Sequence, residues 1–195
     1  MGGFAYINQL IQVPKTFKGG AAHSEHDGTV TGIEEAPAGG KFVYVDGKKH
    51  YVGTGYELKV KKGDAVEAGD VLSEGFPNPQ VITRHKGVGE GKRYFTDAMV
   101  KAMKTAGMKV HRRNVELLAR GLINHVRLTD EFGDYVPDDT VPYSTLEHAY
   151  QPREGHQLLD PGRSLNKYLE KPVLHYSIGT KVRPSVLKEI QHFSI

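Results

Sequence analysis

Two stretches of helical periodicity, separated by a glycine, constrain this fold more than any other feature of the sequence. Apolar residues recur every three or four positions over residues 95–106, which is the spacing of one face of an α-helix. The same spacing continues over residues 115–126, with Leu118 on the apolar stripe and Arg120 on the opposite face. The sequence therefore predicts a helical hairpin, assigned to residues 93–128, in which Leu118 is buried.

The region before the hairpin, residues 21–92, has the turn-rich pattern of a small β domain. Asp46-Gly47 separates two runs of strand-forming residues, which is a strong signal for a tight β-hairpin. Gly63-Asp64 and Gly69-Asp70 then mark two further turns with apolar residues between them. The chain contains 23 Gly and 10 Pro residues, a share that is typical of many turns and short strands. We expect a compact double hairpin in this second half of the β domain.

A basic segment, residues 77–93, connects the β domain to the hairpin. It contains the glycine-rich run 87–92, which matches neither the P-loop nor the dinucleotide-binding template. Two interpretations stay open for this run: glycine amides that approach a phosphate group, and a polar linker with solvated charges. Of these two, we expect the linker.

Residues 129–195 are predicted to form a β turn followed by an extended docking tail, because prolines and glycines interrupt every short apolar run. Strands are expected at 126–128 and 135–136, and short helices at 165–169 and 186–193. The tail carries more apolar surface than a solvated linker does. We therefore expect it to pack partly against the helical hairpin and partly against another chain. The residues assigned to partner docking are Leu158, Leu159, Tyr168, Leu174 and Ile178.

Composition and motifs argue against several functional classes. The chain has no cysteine, so it has neither disulfides nor thiolate metal sites. It has no apolar run near the ~20 residues of a membrane span and no signal peptide, so we expect a cytoplasmic protein with no membrane partner. His23 and His26 are spaced like metal ligands, but no helix or third ligand accompanies them, so they are interpreted as solvated loop histidines. The acidic run 130–139 lacks the spacing of a calcium-binding loop. Since no nucleophile–base pair is evident, we expect neither catalytic residues nor a cofactor in this chain.

Five segments of the chain, in order, resemble segments of one protein family. Residues 58–75 follow the pattern l.V..Gd.V..GD.lt.G, and residues 107–122 resemble GV.INDKHIEVIVRQML. Residues 3–15, 27–30 and 178–181 resemble the further segments GLPRV..LFE.R.P, sGiV and LLGITKASL. These segments occur, in the same order, in the C-terminal part of the beta-prime subunit of bacterial-type multisubunit RNA polymerase.

The resemblance implies an α+β fold with a lead-in arm at 1–20 and a barrel-sandwich-hybrid-like β domain at 21–92, followed by the hairpin and the irregular tail. It implies a non-catalytic part of a split beta-prime-like subunit, which contributes clamp-region structure to a transcribing assembly of several protein chains. The family's magnesium-binding loop has no counterpart here, so magnesium is expected in a partner chain. Arg112 and Asn114 replace an Asp and a His of the family, and this drift, together with the short chain, favours a viral (phage) version.

Basic residues distinguish two functions that the sequence leaves open. A polymerase part would hold them near a DNA or RNA backbone, whereas a polymerase-derived structural or interaction protein, such as a virion component, would pair them with acidic neighbours. A small enzyme is a third alternative, which no motif supports. The net charge of +3 is compatible with all three. The residues assigned to nucleic-acid backbone contacts are Arg84, Lys86, Lys92, Arg93, Arg112 and Arg113.

Overall fold

The computed structural model describes residues 3–12, 14 and 16–193, and it combines helices with antiparallel strands in an α+β fold, as predicted. Residues 1, 2, 13 and 15 of the predicted arm and residues 194 and 195 of the predicted tail lie outside the described residues. The helices are α1 (Gly3–Gln12), α2 (Pro79–Lys86), α3 (Val88–Thr105), α4 (Arg112–Leu122), α5 (Tyr143–Ala149) and α6 (Pro184–His192), with a 3-10 turn at Pro161–Arg163. The strands are β1 (Gly28–Glu35), β2 (Lys41–Val45), β3 (Lys48–Val52), β4 (Ala65–Val66), β5 (His125–Arg127) and β6 (Thr140–Pro142).

The β domain is a four-stranded antiparallel sheet in the order β3-β2-β1-β4, curled as a half-barrel. β2 and β3 pair through a two-residue turn in which Asp46 and Gly47 have positive φ angles of 45° and 80°. This is the geometry that the Asp-Gly signal predicts, because Asp and Gly tolerate the left-handed region best. Valines from all four strands fill the concave side of the sheet together with Leu72, which is fully buried.

The two Gly-Asp turns are copies of one another, and both lie along the segment that leads into and out of β4. In each turn the aspartate side chain accepts a hydrogen bond from a backbone amide three residues earlier, at 2.8 Å for Asp64 and 2.9 Å for Asp70. The first turn also exchanges backbone hydrogen bonds with Val30 of β1, and the second does so with Ser24, which precedes β1. Both predicted turns are therefore present, and each aspartate is explained by a local hydrogen bond. They do not form the predicted double hairpin, because β4, which lies between them, pairs with β1.

α3 is the central helix, and α1, α2 and α4 all contact it. The core between α1, α3 and α4 contains Leu10, Phe95, Met99 and Ala119, each at most 1% exposed. α3 and α4 form the helical hairpin that periodicity predicts. Within the described part of the chain, no helix combines the length and the apolar character that crossing a membrane requires.

The prediction of a linker over residues 77–93 is wrong, because α2 and the first turns of α3 occupy most of it. Asn78 caps α2 by accepting a hydrogen bond from the Gln80 amide at 2.9 Å, and a proline occupies the first helical position. Gly91 lets α3 approach α2 closely, since a Cβ atom there would lie 2.1 Å from Thr83 Oγ1. Gly91 therefore serves helix packing.

α4 buries only part of the apolar face that the sequence predicts to be in the core. Val115 and Ala119 are buried, but Leu118 and Leu122 keep 38% and 46% of their surface exposed. Because α4 packs chiefly on α3, only the part of its apolar stripe nearest to α3 is covered. The prediction that Leu118 is buried is therefore wrong, and the small Ala119 makes the close contact instead.

The C-terminal segment is more folded than the sequence predicts. β5 pairs with β6 rather than with residues 135–136, and α5 follows β6 directly. Val88 of α3 packs with Val141, Tyr143 and Leu146 in one buried cluster. The segment therefore covers the start of α3 with its own apolar residues.

A second buried cluster is formed by C-terminal residues alone, and it includes Tyr176, Val182 and Ile190. The helix predicted at 165–169 is wrong, because this segment begins with a turn and then exchanges backbone hydrogen bonds with residues 179–182. The helix predicted at 186–193 is confirmed by α6, whose apolar face contributes to the cluster. The prolines of the tail interrupt helices, but they do not prevent a small core of its own.

His23 joins the β domain to the start of α2, so its interpretation as a solvated loop residue is wrong. Its Nδ1 atom lies 2.8 Å from the Gly69 carbonyl oxygen, and its Nε2 atom accepts a hydrogen bond from the Asn78 amide at 3.0 Å. An amide can only donate, so Nε2 carries no proton and Nδ1 is the donor to Gly69. Burial lowers the pKa of His23, which agrees with a neutral ring.

Candidate nucleic-acid interface

A cleft of about 730 Å³ opens between α3, α4, α5 and the segment 172–177. On α4, Arg112, Glu116 and Arg120 are four residues apart, so they follow one face of the helix along the cleft. Basic side chains outnumber acidic ones in the lining. The charged and titratable lining residues are Lys92, Arg93, Arg112, Arg120, His175, Glu116 and Glu147.

Lys92 is half-buried in the wall of this cleft, with its ammonium nitrogen 5.5 Å from the centre of the Tyr143 ring. Burial lowers the pKa of Lys92, the nearby Glu147 carboxylate raises it, and the like charge of Arg120 lowers it further. Among the described residues, neither Lys92 nor Arg120 forms an ion pair or a side-chain hydrogen bond with a carboxylate. Lys92 and Arg120 are therefore close enough in the cleft for their charges to interact.

Arg93 and Arg112, in contrast, are held by carboxylates of this chain. Arg93 Nη1 lies 2.9 Å from Glu189 Oε1. Arg112 Nε lies 2.9 Å from Glu116 Oε1, and its guanidinium group also pairs with Asp97. These groups are partly exposed, so each pair contributes on the order of 1 kcal/mol or less.

His175 lines the cleft, and both His175 and α6 contact α3. His175 Nε2 lies 2.6 Å from Glu90 Oε2, and Tyr176 donates a hydrogen bond to Glu189 at 2.5 Å. Burial raises the pKa of Glu189, but the Tyr176 hydrogen bond and the charges of Arg93 and His175 outweigh this effect and lower it. Glu189 therefore carries a negative charge at neutral pH and fixes α6 against α3.

The six residues that the sequence assigns to nucleic-acid contacts divide into two groups. Lys92, Arg93 and Arg112 line the cleft, whereas the other three do not. Lys86 Nζ lies 2.5 Å from Asp70 Oδ1, so it pairs within the chain, and Arg84 and Arg113 are exposed side chains of α2 and α4. Arg120 lines the cleft although it is not among the six. Its spacing of two helical turns from Arg112 was the signal for it.

The five residues assigned to partner docking also occupy different environments. Leu158 is fully exposed, and Tyr168 and Leu174 are 56% and 41% exposed, with Leu174 at the rim of the cleft. Leu159 is half-buried. Ile178 packs within the chain, and its amide donates a hydrogen bond to the Tyr143 hydroxyl oxygen at 3.1 Å.

A polar seam formed by Asp27, Glu67, Lys181, Arg183 and Ser185 joins the C-terminal segment to the β domain. The Asp27 carboxylate lies 3.0 Å from Lys181 Nζ and 2.7 Å from Arg183 Nε. Glu67 accepts a hydrogen bond from the Ser185 amide at 2.9 Å. Because these partners are more than 100 positions apart in the sequence, the seam holds the two ends of the fold together.

The acidic run 130–139 serves the connection between β5 and β6. Asp139 accepts a hydrogen bond from the Val136 amide at 3.0 Å, and Asp130 Oδ2 lies 3.5 Å from Arg153 Nη1. Across residues 3–12, 14 and 16–193, no three histidine or acidic side chains converge as metal ligands do.

The amino-acid sequence of the chain is similar to those of bacterial RNA polymerase subunits. Over 134 residues, or 66% of the chain, it is 30% identical to "DNA-directed RNA polymerase subunit beta'" of Syntrophobacter fumaroxidans. Identity is also 30% to the beta' subunits of Moorella thermoacetica, over 152 residues (75% of the chain), and of Lysinibacillus sphaericus, over 163 residues (81%). The chain is distantly related to the bacterial RNA polymerase beta' subunit. No family model matches it.

The similarity to beta' confirms the resemblance seen in the sequence at the level of the subunit. The chain spans only 10–13% of the length of these curated relatives, in which it matches one limited segment. Most of a beta' subunit therefore has no counterpart in this sequence.

Proposed function

We propose that this chain is a non-catalytic part of a split beta'-like RNA polymerase subunit. In this role it contributes clamp-region structure and contacts the backbone of DNA or RNA within an assembly of several chains. The observation that carries the proposal is the similarity of 66–81% of the chain to beta' subunits. Partner chains supply the remaining parts, including the residues that hold magnesium.

The fold supports this proposal through the β domain. Its half-barrel contains the two Gly-Asp turns that the family pattern specifies, in the predicted spacing. We assign this unit as a reduced barrel-sandwich hybrid of the C-terminal part of beta'. The substitutions at Arg112 and Asn114, together with the small share of beta' that is covered, favour a viral origin.

A second candidate function is that of a structural or interaction protein derived from the polymerase. The observation that favours it is the internal pairing of three predicted contact residues. Lys86 pairs with Asp70, Arg93 with Glu189, and Arg112 with both Asp97 and Glu116. Cations neutralised in this way contribute less to binding a nucleic-acid backbone.

Affinity purification of the tagged chain from its native source, followed by mass spectrometry, tests the choice between these functions. The polymerase proposal expects chains similar to the rest of beta' and to the other polymerase subunits, in a complex that synthesises RNA on a DNA template. Capsid or tail proteins in place of polymerase chains would contradict it and support the structural function.

A further inference from the structure

Two cations of the cleft, Lys92 and Arg120, have no carboxylate partner among the described residues. Lys92 projects from α3 and Arg120 from α4, and both line the same cleft. The neighbouring cations Arg93 and Arg112 are satisfied by carboxylates of the chain. The carboxylate that acts on Lys92 is Glu147 of α5, which lines the cleft without forming an ion pair.

The positions of Lys92 and Arg120 are set by a rigid scaffold. α3 and α4 are locked together by the buried core around Phe95, Met99 and Ala119, so neither cation can move far from the other by helix motion. Like charges held in this way repel each other, and a half-buried ammonium group also loses hydration. An anion bound between them would remove both costs.

A phosphate group is suited to this arrangement. A lysine ammonium acts as a point charge, while an arginine guanidinium binds two phosphate oxygens at once through its planar fork. The first two residues of α3, Val88 and Gly89, also line the cleft, so the positive end of this helix dipole adds to the potential there.

We propose that Lys92 and Arg120 bind a backbone phosphate of a nucleic-acid strand in this cleft. The inference rests on the proposed polymerase-related function. It assigns phosphate binding to one site, in place of the six separate basic residues that the sequence analysis assigns to backbone contacts. Free phosphate compounds such as pyrophosphate carry the same chemistry, so the test must separate the two sources.

The test measures binding of a fluorescently labelled single-stranded DNA to the full chain by anisotropy at several salt concentrations. Lys92→Gln and Arg120→Gln should each weaken binding about fivefold and reduce the slope of log K against log salt by about 0.7. Lys101→Gln is the matched control, because Lys101 is an exposed residue of α3 that does not line the cleft. It should leave both quantities nearly unchanged.

Glu147→Gln is a variant in which DNA affinity should increase instead of decrease. Removing this carboxylate from the cleft should tighten DNA binding about twofold to fivefold, because it no longer competes with phosphate for Lys92. A gain of affinity is the opposite of the loss that a damaged site would give, so this variant complements the loss variants. Thermal unfolding followed by circular dichroism checks that all four variants fold.

Several outcomes would overturn the proposal. These are unchanged binding by both cleft variants, an equal loss in Lys101→Gln, and no gain in Glu147→Gln. Pyrophosphate that binds as tightly as the DNA, with the same sensitivity to Lys92→Gln, would assign the site to a free phosphate compound instead of a strand.

Failure of this inference is distinguishable from failure of the proposed function. Affinity purification of Lys92→Gln and of the unaltered chain from the native source is carried out in parallel. If polymerase chains are recovered with both proteins and the cleft variants bind DNA normally, only the inference of a phosphate site is contradicted. Absence of polymerase chains with the unaltered protein would remove the proposed function, whatever the cleft binds.

Discussion

At the scale of single residues, Asp27 shows how one carboxylate connects distant parts of the chain. It accepts hydrogen bonds from the Ala68 amide at 2.9 Å and from the side chains of Lys181 and Arg183. Burial raises the pKa of Asp27, but these three hydrogen bonds and the charge of Arg183 outweigh burial and lower it to about 2. The ionised form is therefore the one that the folded state stabilises.

Asp27→Asn should destabilise the protein by about 1 kcal/mol, since the site is partly exposed and an amide accepts weaker hydrogen bonds than a carboxylate. A folded-state pKa of about 2 lies below the ordinary value of 3.8, so the stabilisation by Asp27 is present above pH 4 and is lost as pH falls towards 2. Urea unfolding at pH 7 and pH 3 measures both effects. Asp134→Asn, at an exposed loop position, is the control, and an equal loss in both variants would contradict the role given to Asp27.

At the scale of elements, α3 is the helix on which the fold is built. It contacts α1, α2 and α4, and its N-terminal end packs under α5 through Val88. α4, in contrast, is a peripheral helix whose leucines at 117, 118 and 122 are exposed by 62%, 38% and 46%. Truncation of an apolar side chain should therefore have very different effects on the two helices.

Met99→Ala in α3 should reduce the free energy of unfolding by about 2–5 kcal/mol, because it leaves a cavity in a closed core. Leu118→Ala in α4 should cost less than about 1 kcal/mol, because much of its side chain already meets water. The two variants remove apolar side chains of similar size and serve as controls for one another. Similar costs in chemical denaturation would show that the outer face of α4 is covered in solution.

The C-terminal segment should divide into two parts in amide hydrogen exchange. Residues 176–190 belong to a buried cluster and to the polar seam, so their amides should be protected in the isolated chain. Residues 154–160 contain no helix or strand and include the fully exposed Leu158, so their amides should exchange quickly. If Leu158 docks on a partner, exchange at 154–160 should slow in the native assembly. Equal protection of both parts in the isolated chain would contradict this division.

At the scale of the whole molecule, three regions of the chain pack against one another. The chain has a half-barrel, a helical layer and a C-terminal segment that closes over both through the polar seam. It is related to a subunit of which it spans 10–13%. The chain therefore forms buried clusters from its own residues while it matches only this share of its relatives.

The isolated chain should therefore show no RNA synthesis with a DNA template, nucleoside triphosphates and magnesium. Nucleotidyl transfer depends on metal ions held by converging carboxylates, and the described residues contain no such cluster. A template-directed incorporation assay, with a complete bacterial RNA polymerase as the positive control, measures this. Template-dependent nucleotide incorporation by the purified chain alone would contradict the proposal that this chain is a non-catalytic part.

The sequence by itself determined the local structures. The Asp46-Gly47 hairpin and the paired Gly-Asp turns follow from backbone preferences of a few adjacent residues, and α3 and α4 follow from apolar periodicity. The relationship to beta' is also a property of the order of residues, since it survives extensive substitution. The turns and the two helices were predictable because each depends on interactions within a short stretch of chain.

Only the tertiary structure decided how these pieces meet. Leu118 is exposed because α4 has α3 on one side and no large element on the other, which periodicity cannot reveal. Lys92 and Arg120 share one cleft because α5 and the segment 172–177 come back across α3 and α4. Asp27 meets Arg183 across 156 positions of sequence for the same reason. Burial and pairing of charges depend on contacts between distant residues, and local sequence carries no information about which of those contacts form.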